Sequence, residues 1–299
     1  MDTDLDTLAT ALYVTCDDLI TAHPEQVPYR PRIGISPQIT DAELVTLAVL
    51  QGFHGYVSEA RWLRHVAADP GLAAMFPHVP GQPGYNKRLR KLAGLMAWLA
   101  ATLTAMSGVG DDDVWLVDST PVECARSRQT VRRSGLAGWA QYGYCASHSR
   151  YFWGLRLHLL TTLAGLPVAW MLTGAKADER EVLGHMLDAA PAPAGGHAQI
   201  IIGDKNYYGR LFEAELADRG LVLLRPARKG EQPRPGARFF KPLRQIIESV
   251  NDTFKGQLDL ERHDGRTIDG VCTRVVPRPS GTTAARAPPV LRSLTAYDH

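Results

Sequence analysis

Gln199-Ile200-Ile201-Ile202-Gly203-Asp204-Lys205-Asn206-Tyr207-Tyr208-Gly209 is the stretch that decides how this chain is read. Three consecutive β-branched residues argue for a buried strand. Gly203 and the Asn-Tyr-Tyr-Gly run argue for an immediate exit into a loop. Aspartate is a poor strand residue. The Asp204 carboxylate is therefore expected at the carboxyl end of the strand, where open α/β sheets place their ligands. The segment Asp113-Val114-Trp115-Leu116-Val117-Asp118-Ser119-Thr120-Pro121 repeats the design, an apolar run closed by Asp118. Pro121 is expected to end regular pairing there. Two buried strands that each deliver one Asp predict carboxylates held together at a sheet edge. A hard divalent cation needs such oxygen ligands on a rigid frame.

The rest of the chain is ordinary in bulk and uneven in detail. Its 299 residues can hold one large or two modest domains. With 45% hydrophobic and 21% charged residues it has the composition of a globular protein. A net charge of +2 gives no global basic field. Yet residues 1–60 carry nine acidic and two basic side chains, and residues 225–255 carry eight basic and three acidic. The basic stretch fits a polyanion at one face, or equally a solvated charged surface. Cys16, Cys124, Cys145 and Cys272 lack paired spacing, which argues against a zinc site or a disulfide framework. The scattered His148, His158, His185 and His197 show no metal-ligand spacing. No signal peptide is visible at the acidic amino terminus. The apolar run Leu92 to Met106 is shorter than the roughly 20 residues a membrane span needs. It reads as a core helix, no membrane partner is expected, and a cytoplasmic location follows.

Residues 1–108 read as an all-helical domain. Leu5, Leu8, Leu12 and Leu19 fall near helical spacing, and a Pro-rich segment follows from Pro24 to Pro37. Thr40 and Glu43 have the spacing of a capping box. Another helix starts at Ser58. Gly81-Gln82-Pro83-Gly84 reads as a turn, and the segment from Tyr85 leads into a helix ending near Ser107. Arg61, Arg64, Lys87, Arg88, Arg90 and Lys91 fit a helix-turn-helix reader of DNA as well as they fit plain helix ends.

From Gly110 strands alternate with helices. A long irregular stretch is expected from Asp118 to about Arg150. Tyr151 to Thr162 and Leu166 to Leu172 read as a hairpin around Leu163-Ala164-Gly165. Asp178-Glu179-Arg180-Glu181 starts a helix to Ala190, with Asp178 as a cap rather than a ligand. After the Asp204 strand come a helix from Leu211 to Arg219 and a short strand from Leu221 to Leu224. The order implies a mixed sheet flanked by helices. A last helix carries Phe240, Leu243, Ile247, Val250 and Phe254 as one stripe. Beside the stripe Glu248 stands between Arg244 and Lys255. Arg before Glu is the weaker order for a helical ion pair, so a surface ion pair explains the arrangement poorly. Pro277 to Pro289 has almost no large apolar side chain and cannot stay ordered by burial.

Three pieces together resemble the bacterial insertion-sequence transposases of the DDE superfamily. They are Leu116-Val117-Asp118-Ser119-Thr120-Pro121-Val122, Ile202-Gly203-Asp204-Lys205-Asn206-Tyr207-Tyr208, and Arg244-Gln245-Ile246-Ile247-Glu248 with Lys255. The family signature's leading Tyr would fall at Lys241, so that element is missing. The resemblance covers roughly residues 1–276, and Thr40 to Arg90 resembles the family's amino-terminal region. It implies an α/β, RNase H-like mixed sheet over 109–276, preceded by the helical region 1–108, possibly DNA-binding, and followed by an irregular tail over 277–299. It also implies that Asp118, Asp204 and Glu248 bind two Mg²⁺ ions, with Mn²⁺ as a substitute, and carry the catalysis. The expected partner is double-stranded DNA, the element's terminal inverted repeats and the target, bound by a homodimer. Arg244, Lys255, Arg126, Arg128, Arg132, Arg133, Arg228 and Lys229 are the expected DNA contacts.

Two alternatives stand beside this reading. A phosphatase of the haloacid dehalogenase kind needs a second Asp two residues after the first, and Thr120 stands there. A catalytically decayed, non-enzymatic DNA-binding remnant fits the altered segment 277–289. That segment interrupts an ending that resembles the family's, as a locally shifted reading frame would. An uninterrupted frame across many copies of the encoding element would argue against decay.

Overall fold

The computed structural model describes residues 3–29, 36–108, 112–125, 127–145, 149–190 and 199–234, together with single residues at 236, 240, 245, 249, 265, 267, 268, 270 and 271. Glu248, Arg244, Lys255, Arg126, His148, His197 and the tail from 277 lie outside them.

The amino-terminal region is helical, as expected, with α1 (Thr3–Ala22), α2 (Asp41–Phe53), α3 (Glu59–Ala68), α4 (Pro70–Met75), α5 (Gln82–Lys91) and α6 (Ala93–Met106). Thr40 Oγ1 accepts from Glu43 N and Glu43 Oε2 accepts from Thr40 N, which completes the capping box. Gly81 to Gly84 is not a turn. Gly81 is the N-cap of α5 and Pro83 lies in its first turn, where a missing N–H costs nothing. The buried line of α1 is Ala9 and Cys16, with Leu12 and Leu19 beside it, and Leu8 is turned out. Trp62 is fully buried and donates its Nε1–H to the Leu47 carbonyl. Tyr85 donates to Gln51, which donates to the Tyr56 carbonyl. These polar atoms brace the helical core without leaving orphans. Arg88 bonds the Ile39 carbonyl and pairs with Asp41 at 2.8 Å, so this basic residue ties α5 to the start of α2.

A six-stranded sheet follows. Its strands are β1 (Val114–Ala125), β2 (Gln141–Cys145), β3 (Arg150–Thr162), β4 (Pro167–Gly174), β5 (Gln199–Ile202) and β6 (Leu221–Leu224), with α7 (Arg128–Arg133), α8 (Glu179–Ala189) and α9 (Arg210–Asp218) between them. β3 lies antiparallel to β1 on one side. On its other side it pairs with β2 through residues 150–154 and with β4 through 155–161. β5 runs parallel to β1, and β6 parallel to β5. An antiparallel half joined through β1 to a parallel half is the arrangement expected of an RNase H-like sheet. One face buries Val117, Leu160, Met171 and Ile201 against Leu183 and Met186 of α8 and Leu216 of α9. The other buries Val122, Trp153, Leu155 and Leu157 with Leu136 and Val271.

The segment after Asp118 differs from expectation. Pairing does not stop at Pro121. β1 continues to Ala125, Pro121 stands opposite Arg156, and α7 and β2 occupy much of the supposed irregular stretch. The β5 ladder ends at Leu116, so beyond that point β1 has only β3 as a partner among the described residues. An imide nitrogen is tolerated on such a half-open strand. β2 was missed because its alternation is polar: Tyr142 and Tyr144 are exposed, and only Gly143 and Cys145 are buried.

Candidate active site

The parallel register of β1 and β5 sets the site. Val114, Trp115 and Leu116 stand beside Ile200, Ile201 and Ile202. Asp118 lies two residues beyond Leu116 and Asp204 two residues beyond Ile202, so the register brings both to the same end of the β1–β5 pair. The register itself is pinned at the start of β5. Buried Gln199 donates to the Asp112 carbonyl at 2.8 Å, and Ile200 N donates to the Asp113 carbonyl. Asp204 lies just past the last ladder residue, as anticipated. Asp118 instead sits within β1, at the point where its β5 partner has run out.

Directly after Asp118, on the opposite face of β1, the structure gathers a clamp. Ser119 Oγ donates to Glu179 Oε1 at 2.6 Å. Arg156 Nη1 donates to the same oxygen at 2.8 Å and to Ser119 Oγ at 3.1 Å, and its Nη2 reaches the Tyr144 carbonyl at 3.2 Å. One guanidinium thus ties β1, β2, β3 and the first residue of α8 together. Sequence reasoning passed over Glu179 as part of a helix start. The usable signal was Arg156, a cation inside the buried run of β3, which demands a partner. Asp178 is the cap that was expected: it accepts from Arg180 N at 2.9 Å and pairs with the Arg180 guanidinium, which lowers it to about 2.

Electrostatics link these acids at longer range. Asp204 is exposed as a residue, yet its carboxyl is raised above the usual range. The crowding protein around that group is the largest cause, and the charge of Glu179 adds to it. Asn206 partly offsets this by donating to it through N, at 2.7 Å, and through Nδ2. Tyr207 is 1% exposed, and its phenol is pushed well above its ordinary value by burial and then by Glu179, Asp118 and Asp204. Its hydroxyl is buried without a hydrogen-bond partner among the described residues. Oxygen-only donors, a carboxyl disfavoured as an anion and an orphan hydroxyl beside them fit a hard cation, whose charge would relieve that repulsion. Among the described residues no group of three or more His, Cys, Asp or Glu is close enough to hold a metal by itself.

The comparison with known proteins agrees with this geometry. Residues 110–276, more than half of the chain, match the family described as transposase DDE domain. The chain belongs to that family. No curated protein matches the chain significantly. A DDE transposase domain takes DNA as its substrate class and uses divalent metal ions. Among the described residues no helix is long and apolar enough to cross a membrane.

The basic residues of the transposase fall into two groups. Arg225 is 2% exposed and is held by Glu213 and Glu231, and Arg234 pairs with Glu213 at 2.6 Å. These two cations belong to the fold. Arg228 and Lys229 are exposed just beyond β6, with Arg228 3.6 Å over the Tyr208 ring, next to the Asp204 loop. Arg128, Arg132 and Arg133 are exposed on α7, past the carboxyl end of β1.

His158 stands opposite Ser119 and is wholly buried, its Nε2 3.0 Å from Thr173 Oγ1. Burial, aided by Arg156, lowers its pKa from 6.5 to about 3. The folded chain keeps it neutral while the unfolded chain takes up a proton. Its stabilising effect is therefore complete above pH 6.5 and is lost as pH falls toward 3, at up to about 1.4 kcal/mol per pH unit. Denaturant unfolding at pH 7 and pH 5 should show this loss, and His158→Gln should flatten it.

Proposed function

We propose that this transposase hydrolyses a phosphodiester at the ends of an insertion sequence and then joins the freed 3′ hydroxyl to target DNA. The observation that supports this most is the parallel β1–β5 register, which brings Asp118 and Asp204 to the same end of the two strands. These two side chains would hold a divalent cation, Mg²⁺ or Mn²⁺, with Glu248 completing the set; two such ions are what the family resemblance implies. Bound there, the metal would supply Lewis acidity and charge neutralisation at the reacting phosphate. The Ser119–Glu179–Arg156 clamp keeps the Asp118 segment and the start of α8 in place. Arg228, Lys229, Arg128, Arg132 and Arg133 are proposed to touch the DNA backbone, as are Arg126, Arg244 and Lys255. Regions 1–108, 109–276 and 277–299 are proposed to be the helical, catalytic and tail units. Two protomers would bring two element ends together.

The test uses a labelled duplex carrying the terminal repeat that flanks the coding frame. Metal-dependent cleavage by the wild type and none by Asp204→Asn is the expected result. Specific binding without cleavage by either protein would replace this reading with that of a non-enzymatic DNA-binding remnant.

A further inference from the structure

Three tyrosines at the β2–β3 end of the sheet stand outside the core. Tyr142 is 52% exposed, Tyr144 47% and Tyr151 79%. Tyr144 lies opposite Tyr151 in the ladder, so both side chains leave the same face, and Tyr142 joins them two residues along β2. The Tyr144 and Tyr151 rings are 5.1 Å apart. The strand beneath cannot turn them inward. A Cβ on Gly143 would lie 2.7 Å from Ala175 Cβ and 3.0 Å from the Phe152 ring, so the inner side of β2 is packed shut. Aromatic side chains gathered and held outward in this way mark a contact with a partner.

The charge around the rings says which partner. From Cys124 to Ala177 the chain has seven basic residues and no acidic one. Three of them, Arg128, Arg132 and Arg133, are exposed on α7. Val131 of that helix packs against the cluster that holds Trp153, and Trp153 stands opposite Tyr142 on the tyrosine face. Cations and rings are thus borne by the same side of the β2–β3 end. The acid just before this stretch, Glu123, is answered by Arg150 at 3.3 Å. A second copy meeting this surface about a two-fold axis would set the same cations against themselves. Duplex DNA keeps its base faces stacked inside. Open rings beside cations suit unpaired nucleotides, which offer a base face and a phosphate together.

We propose that Tyr144 and Tyr151, with Tyr142 beside them, form a stacking surface for unpaired DNA bases, and that Arg128, Arg132 and Arg133 hold the phosphates of the same strand. The rings supply affinity without reading sequence, since every base has a face to stack, and the arginines supply the salt-dependent part. The inference rests on the DNA contacts proposed above for α7 and not on the metal site. Binding measured without divalent metal therefore separates its failure from a failure of cleavage.

The experiment measures fluorescence anisotropy of a labelled oligothymidine and of an abasic strand of the same length, with the full-length protein and no divalent metal. The wild type is expected to bind oligothymidine about fivefold or more tightly than the abasic strand, the worth of one stacked base. Tyr151→Ala should lose that preference while binding the abasic strand as before. Tyr151→Phe, which keeps the ring, should retain it. Arg132→Ala should weaken both probes alike and lower the salt dependence. Equal wild-type affinity for the two probes would overturn the proposal, as would a preference that survives in both Tyr144→Ala and Tyr151→Ala. A wild-type dimer that Tyr151→Ala turns into a monomer in sedimentation, with oligothymidine affinity unchanged, would give the surface to a second copy and overturn it too. Wild type that binds neither probe would overturn it together with the α7 backbone contacts.

Discussion

Asp118→Asn is expected to lower the rate of metal-dependent cleavage by about a thousandfold or more while leaving the fold intact. Asparagine has the size of aspartate, and Asp118 sits half-buried within β1, where the backbone pairing with Leu159 does not depend on the side-chain charge. What changes is the proposed ligand. An amide is a weak partner for a hard cation, and the transition-state stabilisation a metal supplies is worth several kcal/mol; about 4 kcal/mol corresponds to about a thousandfold. Glu179→Gln is the informative contrast. Its Oε1 is already taken by Ser119 and Arg156, so the loss there should stay within the roughly 10- to 100-fold typical of groups that orient ligands. Single-turnover cleavage at saturating Mn²⁺ separates the two. Comparable losses in both variants would place Glu179 among the ligands instead of in the clamp.

Gly154→Ala should destabilise the protein more than any other glycine substitution among those described. A Cβ at Gly154 would lie 2.1 Å from the Val122 carbonyl oxygen and 3.0 Å from Cys124 N. Both are backbone atoms of the neighbouring strand, so no side chain can rotate away. The register shift between Glu123 and Ala125 on β1 lies opposite this glycine. Relieving the clash means breaking the β1–β3 ladder at the end that continues from Asp118. The expected cost is about 3 kcal/mol, or a drop in Tm of roughly 6–12 °C for a chain of this size. The helical Gly184→Ala provides the opposite sign. It lies within α8, and nothing stands within 4 Å of its added methyl. It should gain up to about 1 kcal/mol from helix propensity. Thermal unfolding of both proteins measures the pair, and an unchanged Tm for Gly154→Ala would mean that β1 and β3 part more readily than their packing implies.

Much of this site is legible in the chain because its signals are local. A run of three isoleucines closed by Gly203 and Asp204 names a buried strand and its end, since β-branched side chains favour the pleated, buried surface and the acid cannot follow them in. The capping box at Thr40 and Glu43, the Asp178 cap and the hairpin around Gly165 are equally local, and each appears where the residues put it. Pro121 misled because a proline's cost depends on whether a second strand lies beside it. That is a property of the sheet, not of the dipeptide. Arg225 looked like one of a group of cations for a polyanion, yet Glu213, twelve residues earlier on α9, and Glu231 enclose it. Glu179 looked like an ordinary helix-start acid until Arg156, on a strand twenty-three residues away, was brought to it.

By itself, then, the sequence determined the strand-borne aspartates, the helical amino-terminal region and the order of elements. These follow from side-chain shape and periodicity over a few neighbouring residues. Tertiary structure alone decided that Asp118 and Asp204 come to the same end of two paired strands, that Glu179 serves the clamp, and that the Tyr207 hydroxyl is left without a partner among the described residues. Each of these depends on strand register and long-range pairing between residues tens of positions apart, which no local pattern encodes.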